Sequence, residues 1–314
     1  MSKVLVDPYQ RRIRKVRISL LDACNLRCLY CMPEKAEFMS SQKWLATDEL
    51  IRIAHSFYAH GIEEIRLTGG EPTLRKDLRE IITSLSEIPF RKLGMTTNGC
   101  FLSPLLPFLK ETRCQHLNIS MDSLQEAKFN SITRSKAYKK TRLGIEQALA
   151  MGFQVKINVV LMQGINADEV LDFVDFSAHY GVKVRFLELM RIGEACAMQK
   201  DRFISADATQ KIIAERESLV PLTTEADATA LEYVTESGAR IGFIAPVTHS
   251  FCGACSRWRL TADGFLRACL MSTQGLSLRG ASEDAMSRIF GTVLGMKPLS
   301  GHAEVRQNMH AIGG

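Results

Sequence analysis

The stretch "RISLLDACNLRCLYCMP" (17–33) begins as a strand and ends as a ligand loop. Arg17 to Leu21 is short, branched and mostly apolar, the composition of a buried strand. Cys24, Cys28 and Cys31 follow it within eight positions, spaced C-x3-C-x2-C. Three explanations exist for such crowding: disulfides, zinc or an iron–sulfur cluster.

The rest of the chain narrows the choice. With 314 residues, 46% hydrophobic and 24% charged, it can bury a large core as one or two domains. No run approaches the roughly 18 apolar residues of a membrane span, and the N-terminus lacks a secretory signal, so a cytoplasmic protein without membrane attachment is expected. The basic run Arg11, Arg12, Arg14, Lys15 and Arg17 leads straight into the cysteines and reads as mature protein rather than a leader. In a reducing compartment nine cysteines are poorly placed for disulfides, and clustered thiols there read as metal ligands or redox groups. The net charge of +6 is too mild for a nucleic-acid coat but suits an anionic small molecule.

Two periods alternate along the first two thirds. "KVRISLL" (15–21), "IEEIRLTG" (62–69), "RKLGMTTN" (91–98), "QHLNISM" (115–121), "FQVKINVV" (153–160) and "VKVRFLEL" (182–189) read as strands. Helical patterns separate them. In "TDELIRIAHSFYAH" (47–60), Thr47 is the expected cap, Leu50, Ile53, Ala54 and Phe57 share a face, and Gly61 closes the helix. "YKKTRLGIEQALAMG" (138–152) and "ADEVLDFVDFSAHYG" (167–181) end likewise. Six such units argue for a parallel βα barrel or a doubly wound sheet. No G-x-G-x-x-G follows the first strand, which disfavours a nicotinamide-binding sheet. In a barrel the chemistry sits at the C-terminal strand ends, where the cysteines and special loops of this chain fall.

After about residue 215 the rhythm changes. "TALEYVTESGARIGFIAP" (229–246) reads as two strands about Ser237-Gly238, and "RWRLTADGFLRACL" (257–270) as a hairpin turning at Asp263-Gly264. This region has its own thiols, Cys252, Cys255 and Cys269, spaced C-x2-C-x13-C. His249 stands three residues before Cys252, so a Cys3His zinc knuckle and a second cluster are both open on spacing alone. The first set has no neighbouring histidine: three thiolates are one short for structural zinc, whereas a cubane cluster held by three leaves one iron free for another ligand.

C-x3-C-x2-C at the end of a first strand resembles the signature of radical S-adenosylmethionine (SAM) enzymes. That resemblance implies a [4Fe-4S] cluster on Cys24, Cys28 and Cys31 whose open iron chelates SAM and whose electron cleaves it to a 5′-deoxyadenosyl radical. Tyr30 then stands near the adenine, "TGGEP" (68–72) offers Gly70 and Glu71 to the SAM amine, and Ser120 and Met190 match further SAM contacts. Their ordinary readings are a turn, a strand-end cap and a core thioether.

"FCGACSRWRLTADGFLRACL" (251–270), together with "IRLTGGEPTLRKDL", "TTNG", "NISMDSL", "VKINVV" and the closing "MHAIGG", resembles the GTP 3′,8-cyclase family of molybdenum cofactor biosynthesis over nearly the whole chain. The resemblance implies an α/β fold: an incomplete (β/α)6-type TIM barrel over 1–215, and a small C-terminal α+β appendage over 216–314 whose Cys252, Cys255 and Cys269 hold a second [4Fe-4S] cluster. It implies that Arg17, Arg66, Thr97, Lys156, Arg257 and Arg259 contact GTP, and that Gly313 and Gly314 reach the site near an arginine. The radical would take hydrogen from ribose C3′, and the carbon radical would attack C8 of guanine. An electron donor and a downstream cyclic pyranopterin monophosphate synthase are the implied partners, and members are often homodimers.

The chemistry is coherent with these residues. Guanidinium forks bind phosphate bidentately, and like charges about 4 Å apart repel by roughly 4 kcal/mol at an effective dielectric of 20, which a polyphosphate would relieve. The bland reading of any one strand cation is an ion pair or an outward-pointing side chain. Two departures stand out: Trp258 replaces the usual leucine between the two arginines, and 191–203 does not align, so substrate choice could differ there. Cys100, Cys114 and Cys196 fit neither triad and read as small buried hydrophobes. A peptide-modifying radical enzyme and a non-enzymatic zinc or nucleic-acid-binding protein are the competing classes.

Overall fold

The computed structural model describes residues 4–301 and 304–313. The six expected strands are present as β1 (Lys15–Ser19), β2 (Glu64–Thr68), β3 (Lys92–Thr97), β4 (His116–Ser120), β5 (Gln154–Val160) and β6 (Lys183–Leu187). All pair in parallel with their sequence neighbours. Between and after them run α1 (Thr47–Ala59), α2 (Leu78–Glu87), α3 (Leu106–Lys110), α4 (Glu126–Thr133), α5 (Tyr138–Ala150), α6 (Val170–Tyr180), α7 (Ala195–Arg202) and α8 (Ala206–Ala214).

The C-terminal strands are β7 (Leu219–Leu222), β8 (Leu231–Thr235), β9 (Arg240–Ile244), β10 (Arg257–Leu260), β11 (Phe265–Arg267) and β12 (Leu276–Ser277). Both expected hairpins form, with Gly238 and Gly264 in the left-handed region at their turns. They extend the barrel sheet from its two edges: β9 adds in parallel to β6 and β10 in parallel to β1, giving the order β12-β11-β10-β1-β2-β3-β4-β5-β6-β9-β8-β7. The two halves of the C-terminal region therefore flank the barrel mouth from opposite sides. The last helices are α9 (Glu283–Gly295) and α10 (Met309–Ile312).

Alternation along each strand separates two environments. Val16, Ile18, Ile65, Leu67, Ile157 and Val159 are buried against the helices. The residues between them face inward and are polar: Arg17 lies in register with Arg66 and with Arg259, Lys156 with Asn118, and Asn158 with Arg185. On α1, Leu50, Ile53, Ala54 and Phe57 form the buried face as expected, and Phe57 stacks on Phe290 of α9 at 5.3 Å. The expected Thr47 cap is corrected: Ala46 takes that position, and the Thr47 hydroxyl donates to Asp77 at 2.5 Å.

Trp258 is explained by the same alternation. It is fully buried on the helix side of β10, 5.7 Å from Phe290, while Arg257 and Arg259 point the other way. The indole therefore fills core volume and leaves the cavity wall untouched.

Candidate active site

Two loops build one wall of a cavity at the C-terminal ends of the barrel strands. The cysteine loop hangs from the end of α4 by bonds from Arg27 N to Thr133 O and from Leu29 N to Ile132 O, both 3.0 Å. The Gly69-Gly70 loop is stitched to it, with Gly70 N donating to Leu21 O at 2.7 Å and Glu71 N to Ala23 O at 2.8 Å. A Cβ at Gly70 would stand 2.2 Å from the Ala23 carbonyl, so only glycine permits this approach. The buried Glu71 carboxylate gathers the Thr73 amide and hydroxyl, the Thr97 hydroxyl (2.6 Å) and the Asn98 amide (2.7 Å), which ties β2's loop to β3. Burial raises its pKa against these bonds. Tyr30 donates its hydroxyl to the buried Asp122 at 2.8 Å, and Asp122 also accepts from Val160 N.

The opposite wall carries the second thiol set. Cys252 and Cys255 lie between β9 and β10, and Cys269 follows β11. All six cysteines are free, partly exposed and line the same cavity of ≈ 690 Å³, within the size range of small-molecule sites. Burial pushes the Cys24 thiol up to about 11 and Cys31 up to about 12. Cys255 behaves oppositely: burial raises it, but Arg257 and Lys297 outweigh burial and bring it to about 7.

Cations fill the floor. Arg17, Arg185, Arg257 and Arg259 line the cavity, and among the described residues none of them, nor Arg66 or Lys156, makes an ion pair with a carboxylate. Burial, then Arg259, Arg257, Arg66 and Arg185, hold Arg17 well below the usual guanidinium range. Burial followed by Arg66 lowers Arg185 to about 9, and burial followed by Arg185 and Lys183 lowers Lys156 to about 7. Such a cluster is electrostatically costly until an anion enters.

Most residues expected from the sequence meet here. Cys24, Cys28, Tyr30, Cys31, Gly70, Glu71, Thr97, Ser120, Met190, Cys252, Cys255, Arg257, Arg259, Cys269 and Arg17 all line the cavity. Arg66 and Lys156 do not; they stand in the barrel interior, Arg66 donating to Met95 O at 3.5 Å beside Gly94, where a Cβ would stand 2.6 Å from the His116 carbonyl. The Thr97 hydroxyl is engaged by Glu71 and by Gly99 N. Gly313 has φ +79° and its carbonyl accepts from Arg259; Gly314 lies outside the described residues. His249 pairs with Asp207 at 2.7 Å and does not line the cavity, so it is not a fourth ligand beside Cys252. Cys100 and Cys114 are buried as expected, but Cys196 is only partly so, its sulfur 3.7 Å from Val305 O: the segment 191–203 packs on the C-terminal tail rather than in the core.

Sequence reasoning missed Arg185, Asp122, Asn158 and His310, all cavity residues. Arg185 was readable, since "VKVRFLEL" puts it on the same face as Lys183, two residues apart on a barrel strand. Asp122 carried no such signal because it lies beyond the end of β4, and His310 none because nothing local places the short α10 at the cavity.

Residues 18–177 match the Radical SAM superfamily, and 182–300 match Molybdenum Cofactor Synthesis C. The chain is 44% identical over all of its length to GTP 3′,8-cyclase of Synechocystis sp., of which it covers 96%. The chain belongs to the GTP 3′,8-cyclase family. A Clostridium botulinum member is 38% identical across 99% of this chain and 100% of its own. Molybdenum cofactor biosynthesis protein 1 of Drosophila melanogaster is 38% identical over 98% of this chain, which spans 56% of it. Among solved structures, Streptococcus suis SuiB bound to precursor peptide SuiA superposes with a TM-score of 0.69 at 13% identity, covering 94% of this chain and 67% of that one. At that identity the likeness concerns the radical SAM fold alone.

The superfamily uses a [4Fe-4S] cluster and SAM, and the residues present fit both. Each triad offers three unpaired thiols facing cavity space.

Proposed function

We propose that this chain converts GTP to (8S)-3′,8-cyclo-7,8-dihydroguanosine 5′-triphosphate, the first step of molybdenum cofactor biosynthesis. The observation that carries this reading is one cavity lined by both thiol triads and by arginines with no carboxylate partner. In this reading Cys24, Cys28 and Cys31 hold the first cluster and Cys252, Cys255 and Cys269 the second. When bound, the first supplies the electron that cleaves SAM and the second faces the nucleotide.

The chain's own residues bind, orient and enclose. Tyr30, Gly70, Glu71, Ser120 and Met190 line the SAM end, with Glu71 fixing the loop whose backbone meets the methionine moiety. Arg17, Arg257 and Arg259, joined by Arg185 and with Thr97 nearby, meet the triphosphate and set the ribose between the two ends, while Arg66 and Lys156 add positive charge from the barrel interior behind them. A carbon radical needs its intended hydrogen within reach before any other, and the tail at Gly313, bonded to Arg259, closes that space. Residues 1–215 act as the radical core and 216–314 as the auxiliary-cluster and GTP region. A cytoplasmic location, an external electron donor, a homodimer and hand-over to a cyclic pyranopterin monophosphate synthase complete the proposal. No helix of the described residues is long and apolar enough to cross a membrane.

The test is anaerobic incubation with SAM, dithionite and GTP, followed by chromatography. Cyclised nucleotide and 5′-deoxyadenosine should form together; SAM cleavage with untouched GTP would reject the substrate.

A further inference from the structure

We propose that Lys297 is a positioning residue of the second thiol triad, a buried ammonium that caps the Cys255 sulfur and raises the reduction potential of the cluster held there. The inference rests on the reading that this triad holds a cluster.

Lys297 follows α9 and is only 3% exposed. Its three donors are all spent: on Cys255 Sγ at 3.4 Å, on Arg257 O at 2.8 Å and on Ala268 O at 2.9 Å. Those carbonyls flank ligands, since Arg257 lies two residues after Cys255 and Ala268 immediately before Cys269. One side chain thus grips both stretches that carry the triad's later cysteines. The third is held by a second buried cation: Arg11 donates to Cys252 O at 2.7 Å and to Lys297 O at 3.3 Å.

The two cations differ in charge balance. Arg11 is paired with Asp7 at 2.6 Å. Lys297 has no carboxylate partner among the described residues, and the only sulfur it is bonded to is that of Cys255. A buried ammonium without an anion is strongly disfavoured, so its counter-charge must be the thiolates and whatever they bind. Around the first triad the arrangement is reversed. Its sulfurs receive the Leu26 amide (3.4 Å) and the Asn98 amide group (3.8 Å), and Glu71 and Asp122 are the nearby carboxylates. Arg27 there donates to the carbonyls of Cys24 and Leu26, not to sulfur.

Net charge and hydrogen bonds to ligand sulfur set cluster potentials, and a cation donating to thiolate favours the state with the extra electron. Lys297 therefore biases the second cluster to accept an electron more readily than it would without this cation.

The test isolates that cluster in a full-length Cys24→Ala, Cys28→Ala, Cys31→Ala protein, reconstituted anaerobically and titrated with dithionite under EPR. If this parent holds no iron–sulfur cluster, the reading of the triad fails before Lys297 is touched. Given about four irons in the parent, Lys297→Met should shift the midpoint potential negative, and Lys297→Arg should restore it toward the parent value. Should Lys297→Met lose its iron, Lys297→Gln is read instead, because it keeps N–H donors without the charge. An unshifted potential in the iron-loaded neutral variant overturns the proposal.

Discussion

The Arg259 guanidinium donates to the carbonyl of Gly313, joining the second strand pair of the C-terminal region to the end of the chain across the barrel mouth. Gly313 holds φ +79°, and a Cβ there would stand 2.6 Å from Ser19 Cβ. Both facts restrict this position to glycine.

Gly313→Ala should therefore unseat the tail. Strain of about 1–3 kcal/mol corresponds to a loss of roughly one to two orders of magnitude in cyclised product, with SAM binding little changed. Initial rates of product formation and SAM affinity check this; unchanged turnover would mean that the contact is idle.

Trp258 serves the core alone. Trp258→Ala should cost about 3–5 kcal/mol in urea unfolding, and Trp258→Leu much less, because the side chain packs on Phe290 and does not line the cavity. The folded Trp258→Leu enzyme should keep its activity. A large rise in the KM for GTP would instead tie the indole to the site.

Much of this was readable in the sequence because strands carry their geometry in a two-residue period. The six barrel strands, the buried face of α1 and both C-terminal hairpins follow from local pattern. The inward direction of Arg17, Arg257 and Arg259 does not: the pattern left an outward-pointing side chain open, and only the family resemblance placed them at the nucleotide. What no local pattern announces is contact between distant segments. β10 joining β1 brings Arg259 beside Arg17 across 242 residues of sequence by register alone. Lys297 reaching Cys255, and Arg11 reaching Cys252, are long-range bonds of the same kind. The Thr47 cap failed because Asp77, thirty residues on, competes for its hydroxyl.

If Lys156 serves the nucleotide as proposed, GTP binding should depend on pH through it. Its pKa is lowered to about 7, by burial and then by Arg185 and Lys183. An entering polyphosphate raises it, so binding above pH 7 takes up a proton, and GTP affinity should weaken as pH rises from 7 to 9. The sign for folding is opposite: an unfolded lysine titrates near 10.4, so the unfolded chain holds the extra proton and this contribution to stability increases with pH over that window. Calorimetry in buffers of different ionisation enthalpy should detect the proton uptake, and Lys156→Met should abolish it. Equal uptake in the variant would assign it elsewhere.

Glu71→Gln should loosen the loop between the two barrel strands. The amide would oppose donors that now meet a carboxylate, with an expected loss of about 1–3 kcal/mol in stability and weaker SAM binding. Thermal unfolding and SAM titration measure the two effects, and a wild-type SAM affinity would separate the loop from the site.

The most direct measurement is the iron and sulfide content of the anaerobically reconstituted chain beside its two triple Cys→Ala variants. Two triads facing one cavity predict about eight irons and eight sulfides per wild-type chain, and about four of each in either variant. Zinc at Cys252, Cys255 and Cys269, or a wild-type count near four, would contradict the account.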